Sequence, residues 1–517
     1  MPRPNVAAYG DGMSVTSMPT HGTGTEDTFE SLDPATGEVI ATHPIQSEAE
    51  VRAAVERAKV AAATWRRLGF AGRREMLDNW KRYIVAHLDD VMSVLSRETG
   101  KRPAEAHMEL LMTLDHLDWA AKKAKKVLGR QRVPAGLIMA NNKAYVEYPA
   151  LGVIGIIGPW NFPVFTPMGS IAYALAAGNA VVFKPSEYTP GVGRWLAESF
   201  AAANPQYADV FRVVTGKGET GAALCRAGVD KLAFTGSTAT GKRVMAACAE
   251  TLTPVVIEGG GKDAFIVDED VDVAATAEAA LWSGMFNAGQ ACVGTERIYV
   301  HEKVYDQFVT EIVEQARALR AGGDPAAQIG PITMPSQKNV IRAHLEDAIE
   351  KGATVMIGGP DTIDAGADGM NCIQPTILTN VPENSLEMTD ETFGPTLAIN
   401  SVASMEEAVE RANGTRYGLA STIYSKRRGM ELAGEMRAGM TAVNQYLSYA
   451  AVPSLPFGGV GESGFGRIHG PDGLKEFTYA HAITKRRYPP PLRLTTFKRT
   501  ERTERMAARL LKFLYGR

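Results

Sequence analysis

Cysteine is scarce in this chain: Cys225, Cys248, Cys292 and Cys372 are the only four in 517 residues, and no two form a CxxC pair. That spacing argues against a disulfide framework or a thiolate zinc site and fits a reducing compartment, so no metal and a cytoplasmic setting are expected. Charge of one sign is also lacking. Lys and Arg number 55 against 58 Asp and Glu, for a net charge of −3, so the global footprint of a nucleic-acid binder is absent. Nor is there an apolar run able to span a bilayer. The charge-free stretch from Tyr148 to Phe183 is broken by Pro159, Asn161, Pro163, Pro167 and Asn179. It reads as a buried strand, a loop, a helix and a second strand. The first 26 residues have no apolar signal-peptide core and read as a loose arm.

What is present is an ordinary globular composition, 45% apolar and 22% charged, in a chain too long for one hydrophobic core. Apolar residues spaced three and four apart predict helices over Glu48–Trp65, Gly72–Glu98 and Ala104–Val127. From Gly152 onward strand and helix signals alternate. Strands are predicted at Gly152–Ile157, Ala180–Lys184, Val210–Val214, Lys231–Phe234 and Pro254–Ile257, with helices at Gly191–Ala203 and Gly241–Glu250. A second α/β series follows from Asp263 to about Tyr446. Alternation of this kind predicts parallel sheets covered by helices, and two such layers meeting near Glu258 predict a ligand cleft between them.

The most specialised thiol is Cys292, at the end of Phe286-Asn287-Ala288-Gly289-Gln290-Ala291-Cys292. Small residues and amides around it leave room for a substrate carbonyl, whereas an isolated cysteine is more often a small buried hydrophobe. Glu258 ends an apolar strand and precedes Gly259-Gly260-Gly261. A carboxylate there can activate the water that removes an acyl group from a thiol. Asn161 sits in the proline-bracketed loop Pro159-Trp160-Asn161-Phe162-Pro163, where its neutral amide could stabilise an oxyanion; alone it would be read as a turn residue. Lys184-Pro185-Ser186-Glu187 follows a strand, placing Lys184 and Glu187 where ribose hydroxyls could be held. An acidic group there favours NAD, with NADP as the alternative. Phe234-Thr235-Gly236-Ser237, followed by Gly241, is a strand running into a glycine-punctuated helix start, suited to a pyrophosphate. Gly216 marks a similar turn, which could equally be structural.

Together these segments resemble the aldehyde dehydrogenase superfamily from about Glu30 to Tyr488, with Glu391-Thr392-Phe393-Gly394-Pro395 and Pro456-Phe457-Gly458-Gly459 completing the family's motif order. The resemblance implies that Cys292 attacks an aldehyde, that Asn161 and the Cys292 N–H hold the oxyanion, and that Glu258 activates water. It also implies that Glu391 holds the nicotinamide ribose, that Phe393 packs near the nicotinamide, and that Trp160 and Ser237 approach the pyrophosphate. The implied fold is α/β, a Rossmann-like cofactor domain and an α/β catalytic domain with a small β oligomerisation flap. On that scheme 1–26 is a flexible arm, 27–130 and 149–258 the cofactor domain, and 259–446 the catalytic domain. Residues 447–476 return to the cofactor domain and active-site rim, 131–148 and 477–490 form the flap, and 491–517 form a basic amphipathic tail. A homodimer or homotetramer is expected. Three positions depart from the family pattern: Gly259 stands where a leucine is usual, which would loosen the Glu258 loop, Asp390 stands for a glutamate, and Ile468 stands for a glutamate thought to relay protons. His469 is a candidate substitute relay.

The expected substrate is a neutral, apolar aldehyde. Neither Val164–Met168 nor Asn444–Phe457 contains Lys or Arg, and Phe165, Trp282, Met285, Tyr446, Leu447, Leu455 and Phe457 could line an apolar tunnel. The alternatives are a semialdehyde or CoA-acylating dehydrogenase and, from another class, a catalytically silent binding relative. The segment from Lys485 to Arg517 carries eleven Lys/Arg and two Asp/Glu. It predicts a short basic amphipathic helix around Met506–Leu514, docked on the protein or a partner subunit, or in peripheral contact with a membrane.

Overall fold

The computed structural model describes residues 27–324, 326–363, 371–490 and 492–516. The predicted N-terminal arm lies outside them. Two sheets dominate. The first has six strands in the order Gly464–Phe465, Val255–Glu258, Lys231–Thr235, Val153–Ile157, Ala180–Lys184, Phe211–Val213, parallel except for the short Gly464–Phe465 edge. The second has seven, in the order Thr354–Ile357, Thr376–Thr379, Thr396–Val402, Thr295–His301, Asp263–Val267, Ala420–Tyr424, Met440–Val443, antiparallel only at Thr354–Ile357.

The charge-free stretch folds as its sequence demands. The helix Phe165–Ala177 is buried along its whole length between the strands Val153–Ile157 and Ala180–Lys184. Gly178, at φ 109, turns the chain out of that helix, a left-handed corner suited to a residue without Cβ. Helices pack the outer face through two buried indoles: Trp65 Nε1 donates to the Leu175 carbonyl at 2.9 Å, and Trp80 Nε1 donates to Ser199 Oγ at 2.8 Å. The single helix expected over Gly72–Glu98 is two, Gly69–Ala86 and Leu88–Thr99. His87 breaks it, leaving the helical region at φ −116, ψ 37, with its ring stacked on Tyr83.

A third sheet orders His481–Arg486, Asn142–Glu147 and Gln131–Val133, all antiparallel, so the two segments assigned to a flap do pair with each other. The tail forms the helix Glu501–Tyr515, with no residue buried, so it is not docked on its own chain. No helix among the described residues is long and apolar enough to cross a membrane.

Topology already locates a crevice. From Val153–Ile157 the chain adds strands outward on one side, then crosses back to add Lys231–Thr235 and Val255–Glu258 on the other. Ligands in open parallel sheets bind beyond the carboxyl ends of the strands at such a reversal.

Candidate active site

Four loops leave the carboxyl ends of the parallel strands at this reversal. Pro159–Asn161 follows Ile157, Pro185–Glu187 follows Lys184, Gly236–Ser237 follows Thr235, and Gly259–Gly261 follows Glu258. They open on a cleft of about 530 Å³ lined by Trp160, Lys184, Glu187, Phe234, Gly236 and Ser237. It continues, past the shared Trp160 and Thr235–Ser237, into a recess of about 290 Å³ walled by Asn161, Gly260, Cys292, Glu391 and Phe393. Such a volume suits a small-molecule ligand. Ser237 caps the helix Thr238–Ala249, accepting a hydrogen bond from the Thr240 N–H, so a helix N-terminus faces the cleft, a setting that favours anions. Lys184 Nζ lies 3.4 Å from Glu187 Oε2, and burial pushes the Lys184 pKa down, against the pull of that carboxylate.

Two glycines assigned to this cleft do other work. Gly216, at φ 150, lies against Thr220, and a Cβ there would sit 2.0 Å from Thr220 Oγ1. The wall in that region is Gly218 and Gly221 instead. Gly241 sits under Ile257, where a Cβ would meet Ile257 Cγ2 at 3.1 Å, so it allows close helix–strand packing.

In the recess Cys292 donates its thiol hydrogen to Glu258 Oε1 at 3.4 Å, and Thr235 Oγ1 donates to Glu258 Oε2 at 3.1 Å. Burial pushes Glu258 up to about 7, against these two donors. Burial, then the negative charge of Glu258, holds the Cys292 thiol well above its ordinary value. Asn161 Nδ2 donates to the Gln290 carbonyl at 3.1 Å, which ties its amide to the Cys292 loop and leaves its second N–H to spare. Glu391 accepts from the Gly261 N–H at 3.0 Å, and burial pushes it up to about 8. Its Oε2 lies 2.1 Å from where a Cβ on Gly260 would be, so only glycine fits beneath it. The edge of Phe393 meets the Trp160 ring at 5.4 Å.

The Cys292 loop is built from unusual backbone. Asn287, Ala288 and Gly289 are all left-handed, at φ 51, 57 and 72. Such strain persists only where its surroundings over-determine it. Here Glu105 Oε1 accepts the Asn287 N–H at 2.6 Å, and Asn287 Nδ2 donates to the carbonyls of Asn161 and Gln290 at 3.2 and 3.0 Å. Phe393, at φ 53, is held likewise: Glu296 accepts the N–H groups of Thr392 and Phe393 and pairs with the buried Lys262. The Asn161 loop is clamped from outside by Lys101. Its ammonium donates to the Asn161 carbonyl and pairs with Glu109, which accepts the N–H groups of Val164 and Phe165 at 2.8 and 3.0 Å. Gly259 donates its N–H to the Ser463 carbonyl at 3.0 Å, and a Cβ there would sit 2.8 Å from the Glu462 carbonyl oxygen.

The expected tunnel residues divide. Trp282 stacks on Phe286 at 4.6 Å and meets Tyr446 at 5.1 Å, while Phe162 joins from the Asn161 loop, 5.9 Å from Phe286. Phe165 and Phe457 instead surround His469, at 5.4 and 5.5 Å. Two assignments fall away from both groups. Met285 is buried in the core around the seven-stranded sheet, and Leu455 faces outward at 44% exposure, because its segment rides over the rim. The His469 ring contacts His116, Phe165, Tyr173 and Phe457, and neither of its nitrogens reaches Glu258 or any other polar partner among the described residues. A relay through it therefore has no hydrogen-bonded path.

Several wall residues carried no sequence assignment. Thr240, Arg243, Val244 and Ala247 line the wide end from one face of the Thr238–Ala249 helix, a periodicity readable once Ser237 is taken as its cap. Met334, in the connection before the helix Gln337–Glu350, and Gln337, the first residue of that helix, belong to no motif, and only the fold brings them in.

A family model described as the aldehyde dehydrogenase family matches residues 21–483. The chain is 34% identical over 457 residues to the 4,4'-diapolycopene aldehyde oxidase of Methylomonas sp, covering 87% of this chain and 84% of that one. It is 35% identical over 463 residues to a probable succinate-semialdehyde dehydrogenase [NADP(+)] of Sinorhizobium fredii, covering 88% and 92%. Among solved structures, PnpE in complex with nicotinamide adenine dinucleotide superposes with a TM-score of 0.85 at 32% identity, covering 92% of this chain and 96% of that one.

Proposed function

The chain belongs to the aldehyde dehydrogenase family, and on that footing we propose that it oxidises an aldehyde to the carboxylic acid with Cys292 as nucleophile. The observation that carries this reading is the 3.4 Å contact of Cys292 Sγ with Glu258 Oε1, in the recess that also holds the Asn161 amide. Glu258, near neutrality, takes the thiol proton, and the thiolate adds to the carbonyl carbon. The free N–H of Asn161 and the backbone N–H of Cys292 meet the oxygen that becomes negative. A bound nicotinamide dinucleotide supplies the hydride acceptor. Once the carbon has given up its hydride and Glu258 has passed the thiol's proton to solvent, the carboxylate is again a base and would remove a proton from the water that splits the resulting thioester, and the products are the acid and the free thiol. A buried carboxylate touching the sulfur favours hydrolysis over transfer to a second thiol such as CoA.

For the cofactor, the Ser237-capped helix suits a pyrophosphate, and Lys184 with Glu187 suits the hydroxyls of a ribose. Glu187 favours NAD, because its charge repels a 2′-phosphate. The name of the Sinorhizobium relative and Arg243 in the same wall favour acceptance of NADP as well.

Two observations bear on the substrate. The aromatic group Trp282, Phe286 and Tyr446, and the lack of Lys or Arg in 444–457, support a neutral apolar aldehyde, as does the name of the Methylomonas relative. Relatives named for succinate and glutarate semialdehyde support a short carboxylate-bearing substrate, and by names alone theirs is the stronger support. Comparing kcat/KM for decanal, benzaldehyde and succinic semialdehyde, each with NAD and NADP, decides between them. Oxidation of none of the three rejects the activity itself. The Cys292→Ala protein should bind NAD by fluorescence titration yet oxidise at least about 10³-fold more slowly. Unchanged turnover would move the nucleophile elsewhere.

We also propose that the chain assembles with copies of itself through the three-stranded sheet. The loop at its end exposes Leu137, Ile138 and Met139, an apolar tip that a partner would cover.

A further inference from the structure

The charge of this chain is unevenly placed. From Lys485 to Arg517 eleven Lys/Arg face two Asp/Glu, a surplus of nine cations, so in a chain of net charge −3 the remainder carries −12. The helix Glu501–Tyr515 holds four of those cations and both glutamates, and six more cations, Lys485, Arg486, Arg487, Arg493, Lys498 and Arg499, precede it. The helix is properly started, with Thr500 as N-cap accepting the Thr503 N–H, and none of its residues is buried. At the helical repeat, Met506, Leu510, Phe513 and Leu514 fall on one side, while Arg502, Arg505, Arg509 and Lys512 fall together on another. Phe513 is 77% exposed, and Phe497, just before the helix, is fully exposed.

We propose that this helix lies on an anionic lipid surface, its apolar side among the acyl chains and its arginines at the headgroups. An amphipathic helix with cations along its polar face and an aromatic on the other is the arrangement that lipid interfaces select. Long Arg and Lys side chains can keep their charge in water while their stems follow the apolar edge. The charge separation orients the molecule, because an anionic surface attracts the tail and repels the body. A second copy of the chain fits less well. The helix has 15 residues, about 22 Å in length, and offers one narrow apolar strip, well short of the roughly 800 Å² per partner that a stable interface buries. The inference does not depend on the catalytic reading, since lipid contact is scored without turnover.

Co-sedimentation with phosphatidylglycerol-rich vesicles and with pure phosphatidylcholine vesicles tests it, using the full chain, a chain ending at Pro490, and a full chain carrying Leu510→Ser and Phe513→Ser. The full chain should partition into the anionic vesicles roughly tenfold or more above the neutral ones and be released by high salt. Both variants should stay in the supernatant, with the double substitution serving if the shortened chain does not fold. Equal sedimentation of all three proteins would overturn the proposal, as would a full chain that never pellets. A change in molecular mass by light scattering on truncation, without any change in vesicle binding, would assign the helix to a second copy instead.

Discussion

The two sheets meet the cleft by opposite ends and with different backbone. The six-stranded sheet offers the carboxyl ends of its strands, and none of the non-glycine residues in its cleft loops, from Pro159 to Phe162, Pro185 to Glu187 and Ser237, has a positive φ. The seven-stranded sheet offers segments that precede its strands: Cys292 before Thr295–His301, and Glu391 and Phe393 before Thr396–Val402. Those segments contain Asn287, Ala288 and Phe393 in left-handed conformations, held by Glu105 and by Glu296 with Lys262. Cradling a ligand needs only the relaxed geometry that parallel strands supply at their ends. Aiming one sulfur at one carbonyl needs a backbone that would not adopt its shape unaided, and buried carboxylates impose it.

The contrast can be broken at either side. Asn161→Ala, on the relaxed side, should lower kcat about 10²–10³-fold while shifting the urea midpoint little; a large stability loss would mean the loop is less self-supporting than its backbone suggests. Glu296→Gln, on the strained side, should act first on stability. It leaves Lys262 buried without its anion, at a cost of about 3–5 kcal/mol by denaturant unfolding; near-neutral unfolding would show that Phe393 holds its conformation alone. The two halves meet at Glu258, whose carboxyl is pushed up to about 7, so kcat/KM should fall as pH drops through that value and the base is protonated. Glu258→Gln should remove that limb of the profile along with most of the turnover, and a limb that persists belongs to another group. The smallest effect is the most diagnostic of strain. Ala288→Gly should be neutral or stabilising by up to about 1 kcal/mol, whereas Ala63→Gly, in the exposed face of the Glu48–Arg67 helix, should cost about 1 kcal/mol.

The sequence exposed the relaxed half more fully than the strained one. A strand followed by Lys184-Pro185-Ser186-Glu187 or by Phe234-Thr235-Gly236-Ser237 announces both its element and the end that faces the ligand, because strand propensity and turn residues are local signals. Cys292, Glu258 and Asn161 were legible as residue types in unusual settings, and the fold lines one recess with Cys292 and Asn161 and sets Glu258 against the sulfur. The supports were not. Lys101, Glu105, Glu109 and Glu296 carried no sequence assignment, because their roles come from long-range pairing with the reactive loops, and no local pattern encodes such a pairing. Gly216 and Gly241 misled for a related reason: glycine beside a ligand and glycine beside another element look alike until the neighbour is known. His469 invited a relay, but its ring turns into a nest of aromatic side chains.

The handshake between Cys292 and Glu258 has a consequence for the idle protein. A half-buried thiol that stays protonated and already engaged is a poor target for stray electrophiles and peroxides, since the thiolate is what reacts with them. The same hydrogen bond that readies the sulfur for its own substrate thus works as a safety catch between turnovers, and alkylation by iodoacetamide at neutral pH should be slow until something in the cleft draws the carboxylate away.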